Sequence, residues 1–311
     1  MGGIVIGSRG SKLALWQARW VEGELRRCHS GLQVGIEVIR TTGDRISDSL
    51  LASMAGSSKG LFVKEIEEAL LEGRIDLAVH SLKDVPTQLP AGLGLLAIPR
   101  REDPRDALVL PGGQASWRDL DPGARVATSS LRRQVQLLSL RGDLKIEPIR
   151  GNVDTRLRKL TEQKLDGLIL ASAGLRRLGL SERISYLFPV QEMVPAVGQG
   201  ALAVEARLDD HRTRLLLEPL HHQETALCVE AERAFLDRMG GGCQVPMGGH
   251  ARLHGNQAWF DAFLASPDGQ RRLSQHPRGN PQQLRDLALG SAEALLKQGA
   301  QQILNEFEGH Q

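Results

Sequence analysis

Cysteine is scarce in this chain. Cys28, Cys228 and Cys243 are the only three in 311 residues. They show no CxxC and no Cys/His ligand spacing, which argues against a zinc site or a disulfide scaffold; no metal is expected, and a reducing compartment fits. An excess of charge is also missing. The 39 Lys and Arg stand against 37 Asp and Glu, so nothing electrostatic points to nucleic acid as the main partner. No apolar run approaches the roughly 18 residues of a membrane span. Arg9 and Lys12 break the N-terminal stretch where a secretory signal would need apolar residues, and Ile6 stands where a myristoylation signal wants Ser or Thr. Lysine is rare too: 8 of the 39 basic residues, leaving 31 arginines. Arginine offers a planar fork that holds carboxylate or phosphate through two bonds. A GC-rich coding sequence explains part of that excess but not where the arginines fall.

What remains is the composition of an ordinary soluble protein, 41% hydrophobic and 24% charged, long enough for two or three domains. Ile4-Val5-Ile6 reads as a buried strand that ends in Gly7-Ser8-Arg9-Gly10-Ser11, with Ser11 a good N-cap for a helix whose face carries Leu13, Trp16, Trp20 and Leu25. Strand, Gly/Ser turn and helix N-terminus together make an anion site. Val34 to Ile39 is the next strand. The long Gly/Ser-rich stretch 42–59 suits a lid or a disordered segment. Asp76 to Ser81 is a strand; if the chain stays extended beyond it, Lys83 and Asp84 point to opposite sides. His80 reads as a core hydrogen-bonding residue.

Arg100 to Asp106 is a charged crossing with a proline, after which the strand–helix rhythm restarts. Val126 to Thr128 is a strand, Ser129 or Ser130 an N-cap, and Leu131 to Leu140 a helix. Arg132 and Arg133 lie in its first turn, opposing the helix dipole unless an anion is bound. Arg150 and Arg156 follow the strand ending at Ile149, and Arg177 follows the strand ending near Ala173. With Arg9, six arginines therefore fall at or just after strand C-terminal ends, the edge where open α/β sheets bind ligands. Pro195 to Gly200 is a second crossing. The predicted domains are 1–100 with 199–218, an inserted 101–198, and an α+β unit 219–311. A helix near Asp209 is expected to turn Leu215 and Leu216 inward. Another, Glu224 to Met239, uses Ala226, Leu227, Ala231, Ala234 and Phe235 as its apolar side and delivers Gly240-Gly241-Gly242-Cys243-Gln244-Val245-Pro246. Three glycines in a row resist regular structure, so the Cys243 thiol is expected on an exposed loop, where exposure favours reactivity. On these residues alone, a small-anion receptor and a thiol-dependent acyl transferase remain open beside a tethered-ligand enzyme. The transferase lacks a motif-placed base; His221, His222 and His250 are available but no motif supports them.

The motifs Lys59-Gly60-Leu61-Phe62, His80-Ser81-Leu82-Lys83-Asp84-Val85-Pro86, Arg101-Glu102-Asp103-Pro104-Arg105-Asp106, Thr128-Ser129-Ser130-Leu131-Arg132-Arg133, Arg150-Gly151-Asn152-Val153, Gly198-Gln199-Gly200-Ala201 and Gly241-Gly242-Cys243-Gln244-Val245-Pro246 occur in that order. Together with Arg9 and Ser11 they resemble the porphobilinogen deaminase family over essentially the whole chain. Ser57-Ser58 and Leu50 depart from the family's usual glycine and proline in the suspected lid.

The resemblance implies two type II periplasmic-binding-protein-like α/β domains with an active site in their cleft, plus a smaller C-terminal α+β domain. It implies a cytoplasmic, monomeric transferase of tetrapyrrole synthesis that joins four porphobilinogen molecules head to tail, releasing ammonia, and frees hydroxymethylbilane by hydrolysis. It implies a dipyrromethane cofactor on a thioether to Cys243, with cofactor contacts from Lys83, Ser129, Ser130, Arg132, Arg133, Arg150 and Arg156. Substrate contacts then fall to Arg9, Ser11, Arg177 and Gln199, and catalysis to Asp84. The partners are porphobilinogen and the growing oligopyrrole, with no nucleic acid or membrane. The chemistry is consistent. Each ring brings two carboxylates, which arginines bind as charge-assisted pairs. Loss of ammonia leaves positive charge shared onto the pyrrole nitrogen, which a carboxylate such as Asp84 stabilises.

Overall fold

The computed structural model describes residues 3–42, 63–112, 116–240 and 245–308. The chain divides into two compact units, Met1–Glu102 with Gly200–Ala226, and Asp103–Gln199 with Leu227–Gln311.

The first unit is built from β1 (Ile4–Ser8), α1 (Lys12–Cys28), β2 (Val34–Val38), α2 (Lys64–Leu71), β3 (Leu77–Ser81), β4 (Leu93–Ala97), β10 (Leu202–Arg207) and α6 (His211–Leu217). Its sheet runs β2-β1-β3-β10-β4. The ladders β2-β1-β3 are parallel, and β10 runs against both β3 and β4. The core packs Ala18, Val21 and Leu25 of α1 on Ile4, Ile6, Leu77, Val79 and Val204. The buried stripe of α1 is thus Gln17, Ala18, Val21 and Leu25, while Leu13, Trp16 and Trp20 are only half-buried. Ala18 and Val21, the smaller residues of that stripe, let the helix approach the sheet, and Trp20 packs partly against the same core. On α6 the expectation fails at Leu215, which is 67% exposed; Leu217 is buried in its place and Leu216 packs partly against the core. Asp210 sets this register by capping the helix through the Thr213 amide.

The second unit holds two sheets. β5 (Asp106–Val109), β6 (Arg125–Ala127), α3 (Leu131–Leu140), β7 (Lys145–Glu147), α4 (Val153–Glu162), β8 (Gly167–Ala171), α5 (Ser172–Arg177) and β9 (Tyr186–Leu187) form the first layer, with strand order β7-β6-β8-β5-β9. β7-β6-β8 are parallel and β5 runs against β8 and β9. Strand for strand this is the order of the first unit, with the odd antiparallel strand again in fourth place. Each sheet is thus a mixed α/β layer of one shared topology, as expected of the two α/β domains.

The remainder is α+β: α7 (Gln223–Arg238), β11 (Met247–His254), β12 (Gln257–Ala265), β13 (Arg272–Gln275), β14 (Arg278–Gly279), α8 (Leu284–Lys297) and α9 (Ala300–Glu308). The Gly255-Asn256 turn joins β11 to β12 with His254 opposite Gln257, and α7, α8 and α9 pack Phe235, Leu284, Ala288, Leu295 and Ile303 against Phe260 and Leu264. On α7, Leu227 is partly exposed, whereas Val229, Ala231 and Phe235 are buried.

Candidate active site

Because β1, β2 and β3 are parallel neighbours, their carboxyl ends share one edge of the first sheet. The β1–α1 turn places Arg9, half-buried, and Ser11, whose Oγ accepts from the Ala14 amide at 3.2 Å and so begins the helix. β3 ends at Ser81, whose Oγ accepts from Gln17 Nε2 at 2.8 Å. Leu82–Asp84 then form a single 3-10 turn closed by the Val85 amide on the Leu82 carbonyl. This corrects the extended geometry expected there. Residues in a 3-10 turn are about 120° apart, so Lys83 and Asp84 diverge without being opposed. Lys83 is half-buried. Asp84 is exposed, and among the described residues its carboxylate has no hydrogen bond or ion pair.

The equivalent edge of the second unit is far richer in charge. Arg132 and Arg133 are buried in the first turn of α3, and the anion their position calls for is already there. It is Asp106, fully buried at the start of β5. Arg132 Nη1 donates to Asp106 Oδ2 at 2.7 Å and Arg133 Nε to Oδ1 at 2.8 Å. Gln199 Nε2 donates to the same Oδ1 at 2.9 Å and to the Pro104 carbonyl at 2.7 Å. Burial by itself would push the Asp106 carboxyl up. The two guanidinium groups and the Gln199 bond more than reverse this and hold it far below the ordinary carboxylate range. Burial lowers Arg133 from its ordinary value, and Asp106 opposes that shift. A second bond from Arg132 Nη1, to the Val194 carbonyl at 2.7 Å, completes the clamp.

The two serines behave differently from each other. Ser130 is the N-cap residue of α3 yet its side chain makes no capping bond. Ser129 instead stitches the ends of β6 and β7. Its Oγ donates to the Ile149 carbonyl at 2.6 Å and accepts from the Ile149 amide at 2.9 Å. That fixes the backbone next to Arg150, whose side chain has no partner among the described residues. Gly151 follows at φ +113, where a Cβ would lie 2.7 Å from Thr155 Cγ2, so glycine is required for the chain to enter α4. Arg156 Nε donates back to the Gly151 carbonyl at 2.7 Å. Arg177 is buried at the far end of α5, six residues past β8, and so is not at the strand junction itself.

The structure therefore collects Ser129, Ser130, Arg132, Arg133, Arg150 and Arg156 at one edge of the second unit, and Arg9, Ser11, Lys83 and Asp84 at one edge of the first. Cys243 and the Lys59-Gly60-Leu61-Phe62 motif lie outside the described residues. Sequence reasoning missed Asp106 and Gln136, whose side chain clamps Val194 through its amide and carbonyl. A signal existed: two adjacent arginines in a first helical turn demand a counter-charge, and Asp106 ends the charged crossing.

The donor set at the second edge, guanidinium forks and hydroxyls around two helix N-termini, fits a group bearing several carboxylates. A family model described as porphobilinogen deaminase, dipyromethane cofactor binding domain, matches residues 4–215, and one described as porphobilinogen deaminase, C-terminal domain, matches residues 226–304. The porphobilinogen deaminase of Geobacter metallireducens is 50% identical over 301 residues, covering 97% of this chain and 93% of its own. That of Syntrophotalea carbinolica is 52% identical over 299 residues, covering 96% and 94%. Two family models that between them span nearly every described element, and relatives at half identity over almost the full length, leave one conclusion: the chain belongs to the porphobilinogen deaminase family.

Proposed function

We propose that this chain performs its family's reaction, joining four porphobilinogen molecules head to tail with loss of ammonia and releasing hydroxymethylbilane by hydrolysis, with a definite division of labour. Asp84 is the catalytic carboxylate. The observation that carries this is its exposure at the carboxyl edge of β3 with no partner among the described residues. A carboxylate left unneutralised there is available to the N–H of a reacting pyrrole as positive charge develops on it, and to a proton in transit. Dipyrromethane, when bound through a thioether to Cys243, supplies the pyrrole primer to which substrate is joined. A thioether resists hydrolysis, so cysteine suits an anchor that must outlast many turnovers.

Lys83, Ser130, Arg132, Arg133, Arg150 and Arg156 hold the carboxylates of that group, with Ser129 fixing the backbone beside Arg150, and Arg9, Ser11 and Arg177 hold those of the substrate, with Gln199 steadying Asp106. Within the set the roles differ. Arg150 offers a whole fork. Arg132 and Arg133 are pre-set by Asp106 and offer their remaining N–H donors and one unit of uncompensated charge, two cations against one anion. The chain is proposed to act as a cytoplasmic monomer of three domains, 1–100 with 199–218, 101–198 and 219–311. Among the described residues no helix is long and apolar enough to cross a membrane.

Intact mass of the purified protein, with Ehrlich's reagent as a colour test, is expected to show two pyrrole units on Cys243. A mass equal to the polypeptide alone, unchanged after exposure to porphobilinogen, defeats the proposal. Asp84→Asn is expected to keep the added mass while losing about a hundredfold in turnover. Near-normal turnover removes Asp84 from the chemistry.

A further inference from the structure

Behind the Asp84 turn lies a buried polar pair that the proposed chemistry does not use. His80 Nε2 sits 2.9 Å from Glu205 Oε2, with His80 6% exposed and Glu205 fully buried. The other oxygen, Glu205 Oε1, is buried without a partner among the described residues. Glu67 faces them from α2 and is itself nearly buried; burial first, and Glu205 second, push its carboxyl above the ordinary range. A buried polar pair adds little net stability, since well-packed apolar residues of similar volume serve as well or better. One orphaned carboxylate oxygen makes this pair costlier still.

Its position explains the cost. In the antiparallel ladder Ala203 lies opposite His80 and Glu205 opposite Ala78, so His80 and Glu205 are diagonal neighbours on one face. That face is the one against α2, because Ala78 packs with Ile66, Ala69 and Leu70. A two-residue slip that set His80 opposite Ala201 would part the pair, whereas the opposite slip would bring His80 face to face with Glu205. A two-residue slip would keep every side chain on its own face, yet would carry the Leu82–Asp84 turn about 7 Å along the sheet. On the face of His80 the ladder sets only Ala203 and Ala78 beside the pair, so the pair itself supplies the large side chains there. On the other side of β10 the ladder is irregular at this same point: Val204 pairs Ala97 and Glu205 pairs Leu95, skipping Leu96. Bulges near functional sites re-aim the side chains beside them. Asp84 has no side-chain partner of its own among the described residues, so its aim is set by the backbone alone.

We propose that His80 and Glu205 form a register lock between β3 and β10 that aims the Asp84 turn by opposing the slip that would set His80 opposite Ala201; they are positioning residues, and this rests on the assignment of Asp84 as the catalytic carboxylate. The cofactor-loaded enzyme carrying His80→Leu together with Glu205→Leu tests it. The urea midpoint is expected to hold or rise, KM for porphobilinogen to stay within about twofold, and kcat to fall at least about tenfold, as misplacement of a reacting group does. A folded double-leucine enzyme with wild-type kcat overturns the lock. Should that variant not fold, Glu205→Gln decides. It is expected to slow the wild-type background about threefold and to leave the residual turnover of Asp84→Asn unchanged. The same factor in both backgrounds overturns the lock while leaving Asp84 in place. Near-normal turnover of Asp84→Asn alone instead sinks the assignment of Asp84.

Discussion

The two five-stranded sheets share one strand order and one antiparallel strand in fourth place, yet they spend that strand differently. In the first unit β10 carries Glu205 to a single histidine and, among the described residues, leaves one oxygen without a partner. In the second, β5 carries Asp106 to two arginines and a glutamine, and both oxygens are used. The first edge consequently presents a bare carboxylate, Asp84, and the second a field of pre-set cations. One backbone plan thus yields an edge suited to stabilising developing positive charge and another suited to holding negative charge already made. The carboxylate on the reversed strand is the physical difference, because it decides how much of the neighbouring charge is neutralised internally.

That contrast is open to attack at several strengths. The harshest is Asp106→Ala, which strands two buried guanidinium groups and is expected to cost about 3–5 kcal/mol in urea denaturation. Glu205→Gln keeps one hydrogen bond to His80 and is expected to cost about 1 kcal/mol. Equal losses would erase the distinction between the sheets. Next come the arginines. Arg150→Leu is expected to leave stability within about 0.5 kcal/mol while accumulating short intermediates, seen by mass, or failing to assemble the cofactor. Arg132→Leu should do the same and also lower the urea midpoint, because it frees one side of Asp106. Unchanged kinetics in both would make these arginines ordinary solvated side chains.

Acid gives the mildest probe. Among the described residues Asp103, Asp106, Asp143, Glu192 and Asp268 of the second unit all titrate low. In the first unit Asp210 titrates low and Glu67 high. A depressed carboxyl stabilises the fold above its unfolded value and loses that contribution as pH falls toward its folded one. A raised carboxyl stabilises below the unfolded value and loses that contribution as pH rises through its folded one. Amide exchange, corrected for intrinsic rate, should therefore show protection of β6 and β8 falling relative to β1 and β3 from about pH 6 to about pH 3.5. A constant ratio would show that the two units do not differ in this way.

Much of the molecule could be read from residue order. The turns at Arg9–Ser11, Ser129–Arg133 and Arg150–Gly151 were visible because glycine, serine and asparagine punctuate a strand–helix rhythm, and helix Leu131–Leu140 followed its apolar spacing. Leu215 and Leu227 were misread as core because a short amphipathic segment admits more than one face, and packing selects among them. Lys83 and Asp84 were misjudged in direction because nothing local distinguishes a strand's last residues from a 3-10 turn stitched to Ala201.

Local sequence determined the repertoire: which segments pair as strands, where helices begin, and that arginine gathers where strands end. It did so because periodicity and capping act over a few residues. Tertiary structure alone decided which charges meet. Asp106 reaches Arg132 and Arg133 across 26 and 27 positions, and Glu205 reaches His80 across 125, because a reversed strand enters each sheet from elsewhere in the chain. Electrostatic partnership depends on distance and burial in space, and separation along the chain specifies neither.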